Sequence, residues 1–319
     1  MERHRRAPSL TTRRASDEPE SSLNPWASLL QSGCRAADVV GVRIVKLVAV
    51  CLIPGVLLGL MGFEGLAKVG VVRDLFAPTI AGDLDAARSS QSGYRVLFVG
   101  NSLTYTHDVP GMVDRLAKAQ PGPVPLIVVS DTLGGRGLDY WADNGELRRL
   151  IAEVPWNVVV LQERSVTPSL PASDRVHDMD PPLRRLAGEV RARGAQTMLF
   201  MTWAHEHGMF SGDSYRAMQD RIAAAYEAEG AAVGAPVAPV GVAWARAHEL
   251  APSLDLWGGD DTHESDKGAY LAACVLYATL TGRSPVGNPY TAGIDGATSL
   301  LIQQVAEQTA LPGFTGAAP

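Results

Sequence analysis

The stretch Val96-Leu-Phe-Val-Gly-Asn-Ser-Leu-Thr-Tyr105 decides the fold. Four consecutive apolar residues run into a glycine, a polar pair and a helix-compatible segment. An apolar run without polar alternation suits a strand buried on both faces. Ser102 stands where that strand hands over to a helix, and a backbone N–H and the helix dipole favour negative charge there. A lone serine after a glycine reads most simply as a turn or cap residue. Its place at the carboxyl end of a buried strand also makes it a candidate nucleophile, because open parallel sheets build their sites at that edge.

The same rhythm continues outward from this strand. Further strands are expected over 125–129, 157–161, 197–202 and 236–240, after the first at 95–99. Helices are expected over 109–119, 138–153, 182–192, 214–229, 242–250, 267–280 and 297–308. Pro182 suits a helix start, and Gly194 and Gly230 suit helix ends. The alternation implies an α/β fold: a three-layer α/β/α sandwich around a parallel sheet of about five strands. No internal repeat is visible.

Composition sets outer limits. The 319 residues are 46% hydrophobic and 19% charged, ordinary for a globular chain, with room for one medium domain plus extras. The formal charge of −6 argues against nucleic acid as a partner, since phosphate binding needs a concentrated basic surface. Cys34, Cys51 and Cys274 form no disulfide framework or zinc-type spacing. No metal and no cofactor is expected.

Upstream of the domain the character changes. Residues 1–37, rich in Arg, Ser, Pro and Glu, read as a disordered basic tail. From Leu47 to Phe63 no residue is charged, and with its apolar flank the run is about 20 residues long, one bilayer core. Residues 38–63 are therefore expected to be a transmembrane signal anchor. A cleaved signal peptide and a buried helix are the competing readings. Arg35, Arg43 and Lys46 precede the run, which puts the tail in the cytoplasm and the rest outside. Residues 64–93 are expected to be a stalk, 94–312 the folded domain and 313–319 a flexible tail.

A second chemical stretch is Trp257-Gly-Gly-Asp-Asp-Thr-His-Glu-Ser-Asp-Lys-Gly268, just before an apolar helix. A serine hydroxyl needs a base to take its proton, and the imidazole needs a carboxylate to fix its tautomer. Asp260 and His263 can supply both from one loop, although alone this histidine reads as a surface-loop residue.

Taken together, Gly100-Asn-Ser-Leu103 and the distant Asp-x-x-His resemble the SGNH/GDSL hydrolase family over about residues 94 to 285. Gly134-Gly-Arg-Gly-Leu-Asp-Tyr-Trp141, Val158-Val-Val-Leu-Gln-Glu-Arg-Ser165 and the run from Gly268 to Ala278 fit a bacterial branch of that family. So does Thr281-Gly-Arg-Ser-Pro285. The resemblance implies Ser102 as nucleophile, with His263 and Asp260 completing a triad. It implies an oxyanion hole from the N–H of Ser102, the N–H of Gly135 (or Gly134) and the side-chain amide of Gln162. Two positions depart from the family pattern. Asn101 stands where an aspartate is usual, and Gln162 where an asparagine is usual.

Tyr105, Glu163 and Trp141 are expected around the substrate, each with core packing or charge pairing as the plainer reading. His205 and His207 alternate like metal ligands, but no third ligand is evident, and they are expected to line the cleft. The expected function is ester hydrolysis through an acyl-enzyme on a small-molecule or carbohydrate ester, such as acylated envelope polysaccharide. An O-acyltransferase with the same triad and a non-catalytic, membrane-tethered binding protein are the alternatives.

Overall fold

The computed structural model describes residues 79–120, 122, 125–209 and 212–312. The expected tail 1–37, anchor 38–63 and end segment 313–319 lie outside the described residues, as does the expected stalk up to residue 78. Among the described residues no helix is long and apolar enough to cross a membrane.

The strand at the centre of the sequence reading is β2, Tyr94–Gly100. It pairs in parallel with β3, Leu126–Thr132, on one side and with β4, Val158–Leu161, on the other. Beyond β4 lie β5, Gln196–Phe200, and the two-residue β6, Val237–Ala238, both parallel. On the far side of β3 runs β1, Thr79–Gly82, antiparallel to it. The sheet thus has six strands in the order β1-β3-β2-β4-β5-β6.

Alternation within the strands explains their apolar character, since successive side chains point to opposite faces. Val96, Phe98, Val158, Val160, Met198 and Phe200 enter one core. It is closed by α3 (Val109–Ala119), α9 (Val240–Leu250), α10 (Asp266–Thr281) and α11 (Gly296–Ala310). Leu97, Val99, Val159, Leu161 and Leu199 enter the other. That face is covered by α4 (Leu138–Asp143), α5 (Gly145–Glu153), α7 (Asp180–Ala192) and α8 (Tyr215–Val233). Every residue of α10 from Gly268 to Ala278 is buried, as its all-round apolar sequence requires. The helices α1 (Leu84–Ser89), α2 (Ser102–Tyr105) and α6 (Ala172–Asp178) are short.

The differences from expectation have local causes. The sheet has a sixth strand because β1 falls in the stretch read as stalk. All four of its residues are exposed, so no apolar pattern marks them. The helix expected over 138–153 is two helices. Asn144 Oδ1 accepts the N–H groups of Glu146 (2.9 Å) and Leu147 (2.8 Å), and so caps α5 instead of continuing α4. The connection from Ser165 to Asp180 holds a 3₁₀ turn, Thr167–Ser169, and α6, which buries no residue and so carries no apolar stripe to read.

Two carboxyls are buried at the carboxyl edge of the sheet. Asp131 is the penultimate residue of β3, and burial, aided by the nearby Glu146 charge, pushes its pKa up to about 7. Glu163 follows β4. Its Oε2 accepts the Leu138 N–H at 2.8 Å and its Oε1 the Arg164 N–H at 2.7 Å. Burial nevertheless raises its pKa to about 7, outweighing those donors and the Arg164 charge. A carboxyl whose folded pKa exceeds its unfolded value keeps its proton longer in the folded state. Its contribution is full below the unfolded values of 3.8 and 4.5 and is lost as pH rises through about 7. The thermal midpoint should therefore fall between pH 5 and pH 8, by roughly 2–4 °C for each kcal/mol lost. Asp131→Asn should flatten that slope in a pH series of thermal melts; an unchanged slope would remove Asp131 as a cause.

Candidate active site

The site is built where β2 ends. Gly100 closes the strand, Asn101 caps α2, and Ser102 is the first helical residue. The Ser102 N–H is thus one of the four that a helix leaves without an intrahelical acceptor. Asn101 works twice at this turn. Its Oδ1 accepts the Leu103 N–H at 3.2 Å, and its Nδ2 donates to the Arg136 carbonyl at 2.9 Å. The second contact fastens the Ser102 turn to the loop after β3. That loop is also tied by the Leu133 N–H to the Gly100 carbonyl (3.1 Å) and turns through Gly135 at φ +70°. Gly135 is exposed beside the turn, in a backbone conformation that favours glycine.

Gln162 has a role the sequence did not suggest. Its amide oxygen accepts the Asn101 N–H (2.8 Å) and the Thr104 hydroxyl (2.9 Å), and its amide nitrogen donates to the Glu163 carbonyl. The buried amide therefore turns its oxygen, an acceptor, toward the Ser102 turn, where an oxyanion would need a donor. Gln162 splints the turn. Glycine at 100 is what admits it, since a Cβ there would overlap the Gln162 amide oxygen and the Thr104 hydroxyl.

The second half of the site is the loop from Trp257 to Glu264. Those two residues bridge in antiparallel fashion, and the Gly258 N–H bonds the His263 carbonyl at 2.7 Å. Asp260 Oδ1 accepts the N–H groups of His263 (2.7 Å) and Thr262 (3.1 Å). Three indoles support the loop from below. Trp203 stacks on Trp244 at 4.0 Å between centroids, and Trp257 meets Trp244 edge-on at 5.7 Å. Such pairs are worth about 0.5–1.5 kcal/mol each beyond their buried area. Trp203 Nε1 donates to the Thr262 carbonyl at 2.9 Å, so the platform also holds the loop by a hydrogen bond.

The two halves meet across the cleft. His263 Nε2 lies 2.8 Å from Ser102 Oγ, and His263 Nδ1 lies 2.5 Å from Asp260 Oδ2. The His263 backbone N–H, followed by its ring and the Thr262 N–H, holds the Asp260 pKa down to about 2. An ionised carboxylate can only accept, so the imidazole proton sits on Nδ1 and the Nε2 lone pair faces the serine hydroxyl. The arrangement can take a proton from Ser102 Oγ and stabilise the resulting imidazolium.

An open cleft of about 490 Å³ contains Ser102, Tyr105, His107, His263, Glu264 and Asp266. Tyr105 is 46% exposed on its wall. Trp141 and Glu163, expected near the substrate, are not on the cleft. Trp141 is fully buried in the core beneath α4, and Glu163 is fully buried with its carboxyl spent on the start of α4 and on Arg164. His205 sits behind the loop, its Nε2 3.2 Å from Ser165 Oγ, and burial lowers its pKa. His207 pairs with Asp261 at 2.9 Å, which raises the pKa of this exposed histidine. With Glu206 they form an exposed trio whose ligand-type atoms lie within 4.8 Å of one another, though hydrogen bonding to Asp261 already accounts for the His207 ring. A second depression, about 530 Å³, lies between β1 and α3 and contains no histidine.

Sequence reasoning missed His107, Glu264 and Asp266. The acid directly after His263 was a usable signal for Glu264. His107 had none, because only the turn after α2 brings it to the cleft.

No family model and no curated protein matches the chain. Solved structures do. A protein from Slackia heliotrinireducens described as a candidate SGNH hydrolase matches at 28% identity and TM-score 0.50, over 59% of this chain and 100% of that one. A DUF4886 family protein from Bacteroides uniformis matches at 21% identity and TM-score 0.60, over 69% of this chain and 96% of that one.

Gly100→Ala tests the splint. Forcing a methyl group against the Gln162 amide should cost about 1–3 kcal/mol, read as a lowered midpoint in urea. A midpoint equal to that of the parent would show the turn is not tightly packed.

Proposed function

We propose that this chain, which has the SGNH/GDSL hydrolase fold, is an ester hydrolase working through an acyl-enzyme on Ser102. The observation that carries the reading is the unbroken chain Ser102 Oγ, His263 Nε2, His263 Nδ1, Asp260 Oδ2, with steps of 2.8 Å across the cleft and 2.5 Å within the loop. A binding module has no need of a nucleophile, base and carboxylate in line. The mixed neutral and ion-pair chemistry of that line suits acyl transfer.

In the first half-reaction His263 takes the Ser102 proton as Oγ attacks the ester carbonyl carbon. The carbonyl oxygen takes up the negative charge. The free Ser102 N–H at the start of α2 and the backbone N–H of Gly135 are the donors we assign to it, without Gln162. Removing one such donor typically costs about 10²–10³ in rate. Collapse breaks the carbon–oxygen bond to the alcohol, which leaves with the proton held by His263. Water then attacks the acyl carbon as His263 takes its proton, and collapse breaks the carbon–Oγ bond, His263 returning the proton to Ser102 Oγ as the carboxylic acid leaves.

Acylated polysaccharide of the envelope is the substrate we favour, supported by an open cleft and by the apolar run 38–63, which we read as the anchor holding the domain outside the cytoplasmic membrane. An acyltransferase would differ only in letting a sugar hydroxyl replace water in the second half-reaction.

A fluorophosphonate probe should label Ser102 alone, by intact mass and peptide mapping, and labelling should vanish in Ser102→Ala and His263→Ala. Adduct on another serine, or none on folded protein, would refute the triad. Asp260→Asn should lower kcat on the order of 10³–10⁴-fold by losing the Nδ1 tautomer; a loss under about ten-fold would show that the carboxylate does not orient His263.

A further inference from the structure

The cleft holds a second polar group that the triad does not use. His107 stands on its wall between two carboxyls: Nδ1 lies 3.7 Å from Glu264 Oε1, and Nε2 lies 3.4 Å from Asp266 Oδ1. Glu264 is fully buried, and among the described residues its carboxyl oxygens are met only by poorly aligned backbone N–H groups of Glu264 and His107, while His107 Nδ1 has no hydrogen-bond partner. The Glu264 carboxyl has no solvent exposure and lies against the Nδ1 edge of the His107 ring. Asp266 is the opposite case, with 79% of its side chain exposed at the cleft mouth. Burial pushes the Glu264 pKa up to about 8, with the Asp260 charge adding to it against the backbone N–H groups of Glu264 and His107. A buried polar group left unmatched costs free energy, and such groups concentrate at sites that bind something.

The charge around the cleft is one-sided. Asp260 and Asp266 line it with His107, His263 and the buried, mostly protonated Glu264, and among the described residues no lysine or arginine does. An alcohol portion bearing phosphate, sulfate or carboxylate would face the Asp260 and Asp266 carboxylates with no lysine or arginine of the lining to offset them. Hydroxyl groups would meet acceptors: the Asp266 carboxylate and the imidazole beside it. Tyr105 adds an exposed aromatic face on the same wall, flat enough to underlie a ring.

We propose that His107 and Asp266 form the alcohol-side subsite of this cleft, that it takes an uncharged polyol such as a neutral sugar and rejects anionic alcohols, and that Glu264 is a positioning residue behind His107. This rests on the ester-hydrolase reading and deepens it. Free hydroxyls near the acylated oxygen bond to Asp266 Oδ1 and His107 Nε2. Glu264 fixes the ring through Nδ1, closing the 3.7 Å gap as the ligand seats.

The test compares kcat/KM for three acetyl esters on the full chain: p-nitrophenyl acetate, an acetylated neutral pyranoside and the matching acetylated uronate. Absence of any Ser102-dependent hydrolysis of p-nitrophenyl acetate would fail the ester-hydrolase reading itself. With that activity present, the neutral sugar ester should exceed the uronate by about ten-fold or more, since like charges across a recognition surface are strongly disfavoured. Asp266→Asn, at an exposed position that leaves the fold intact, should shrink that ratio to within about three-fold. Glu264→Gln should raise KM for the sugar ester about five-fold or more with kcat changed less, a split that loss of folding does not produce. Equal rates on both sugar esters, a preference for the uronate, an unchanged ratio in Asp266→Asn, or a Glu264→Gln effect confined to kcat would overturn the proposal.

Discussion

One contact orders the rest of the domain: 2.8 Å between Ser102 Oγ and His263 Nε2, closed between residues 161 positions apart in the chain. An oxygen–nitrogen hydrogen bond tolerates only a few tenths of an ångström before it weakens. Both ends must therefore be held by elements that do not give. On the serine side the hold is the end of β2, splinted by the Gln162 amide and laced to the next loop by Asn101. On the histidine side it is a loop closed by the Trp257–Glu264 bridge, capped internally by Asp260 and carried on the stacked Trp203 and Trp244. The two cores, one on each face of the sheet, fix those supports relative to each other.

The electrostatics of the site follow from the same geometry. Asp260 keeps its charge because two backbone N–H groups of its own loop and the His263 ring all donate to it. Asp131, Glu163 and Glu264 are raised by burial instead, which at Glu163 outweighs two backbone N–H donors. Four acids near one edge of a sheet thus separate into one strong carboxylate and three that hold protons near neutrality. Their environments, not their residue types, decide which is which.

Much of this was legible from the residues. The apolar run of β2 ending in Gly100, and the Asp-x-x-His spacing before an apolar helix, mark the two halves of the candidate site, because buried strands and all-round apolar helices have few alternative readings. Helix α3 runs over 109–119 as the sequence predicts, with Asp108 and Pro110 marking its start. The strand β1 was illegible, since a short exposed edge strand has no hydrophobic period. Gln162 was misread for a different reason. A primary amide offers both a donor and an acceptor, and only the packing against Gly100 and Thr104 decides which end faces the serine. Trp141 and Glu163 failed as substrate contacts because residue type near a motif does not report burial. His107 and Asp266 were silent because the cleft wall they share is made by tertiary folding alone.

The account stands or falls on a covalent acyl-serine. The most direct measurement is rapid-quench peptide mapping of the chain during turnover of p-nitrophenyl acetate, alongside the release of p-nitrophenol. The account predicts a burst equal to the enzyme concentration and an acetyl group on the peptide holding Ser102, with none elsewhere. Turnover without a burst and without acetyl on Ser102, or acetyl on another residue, would contradict it.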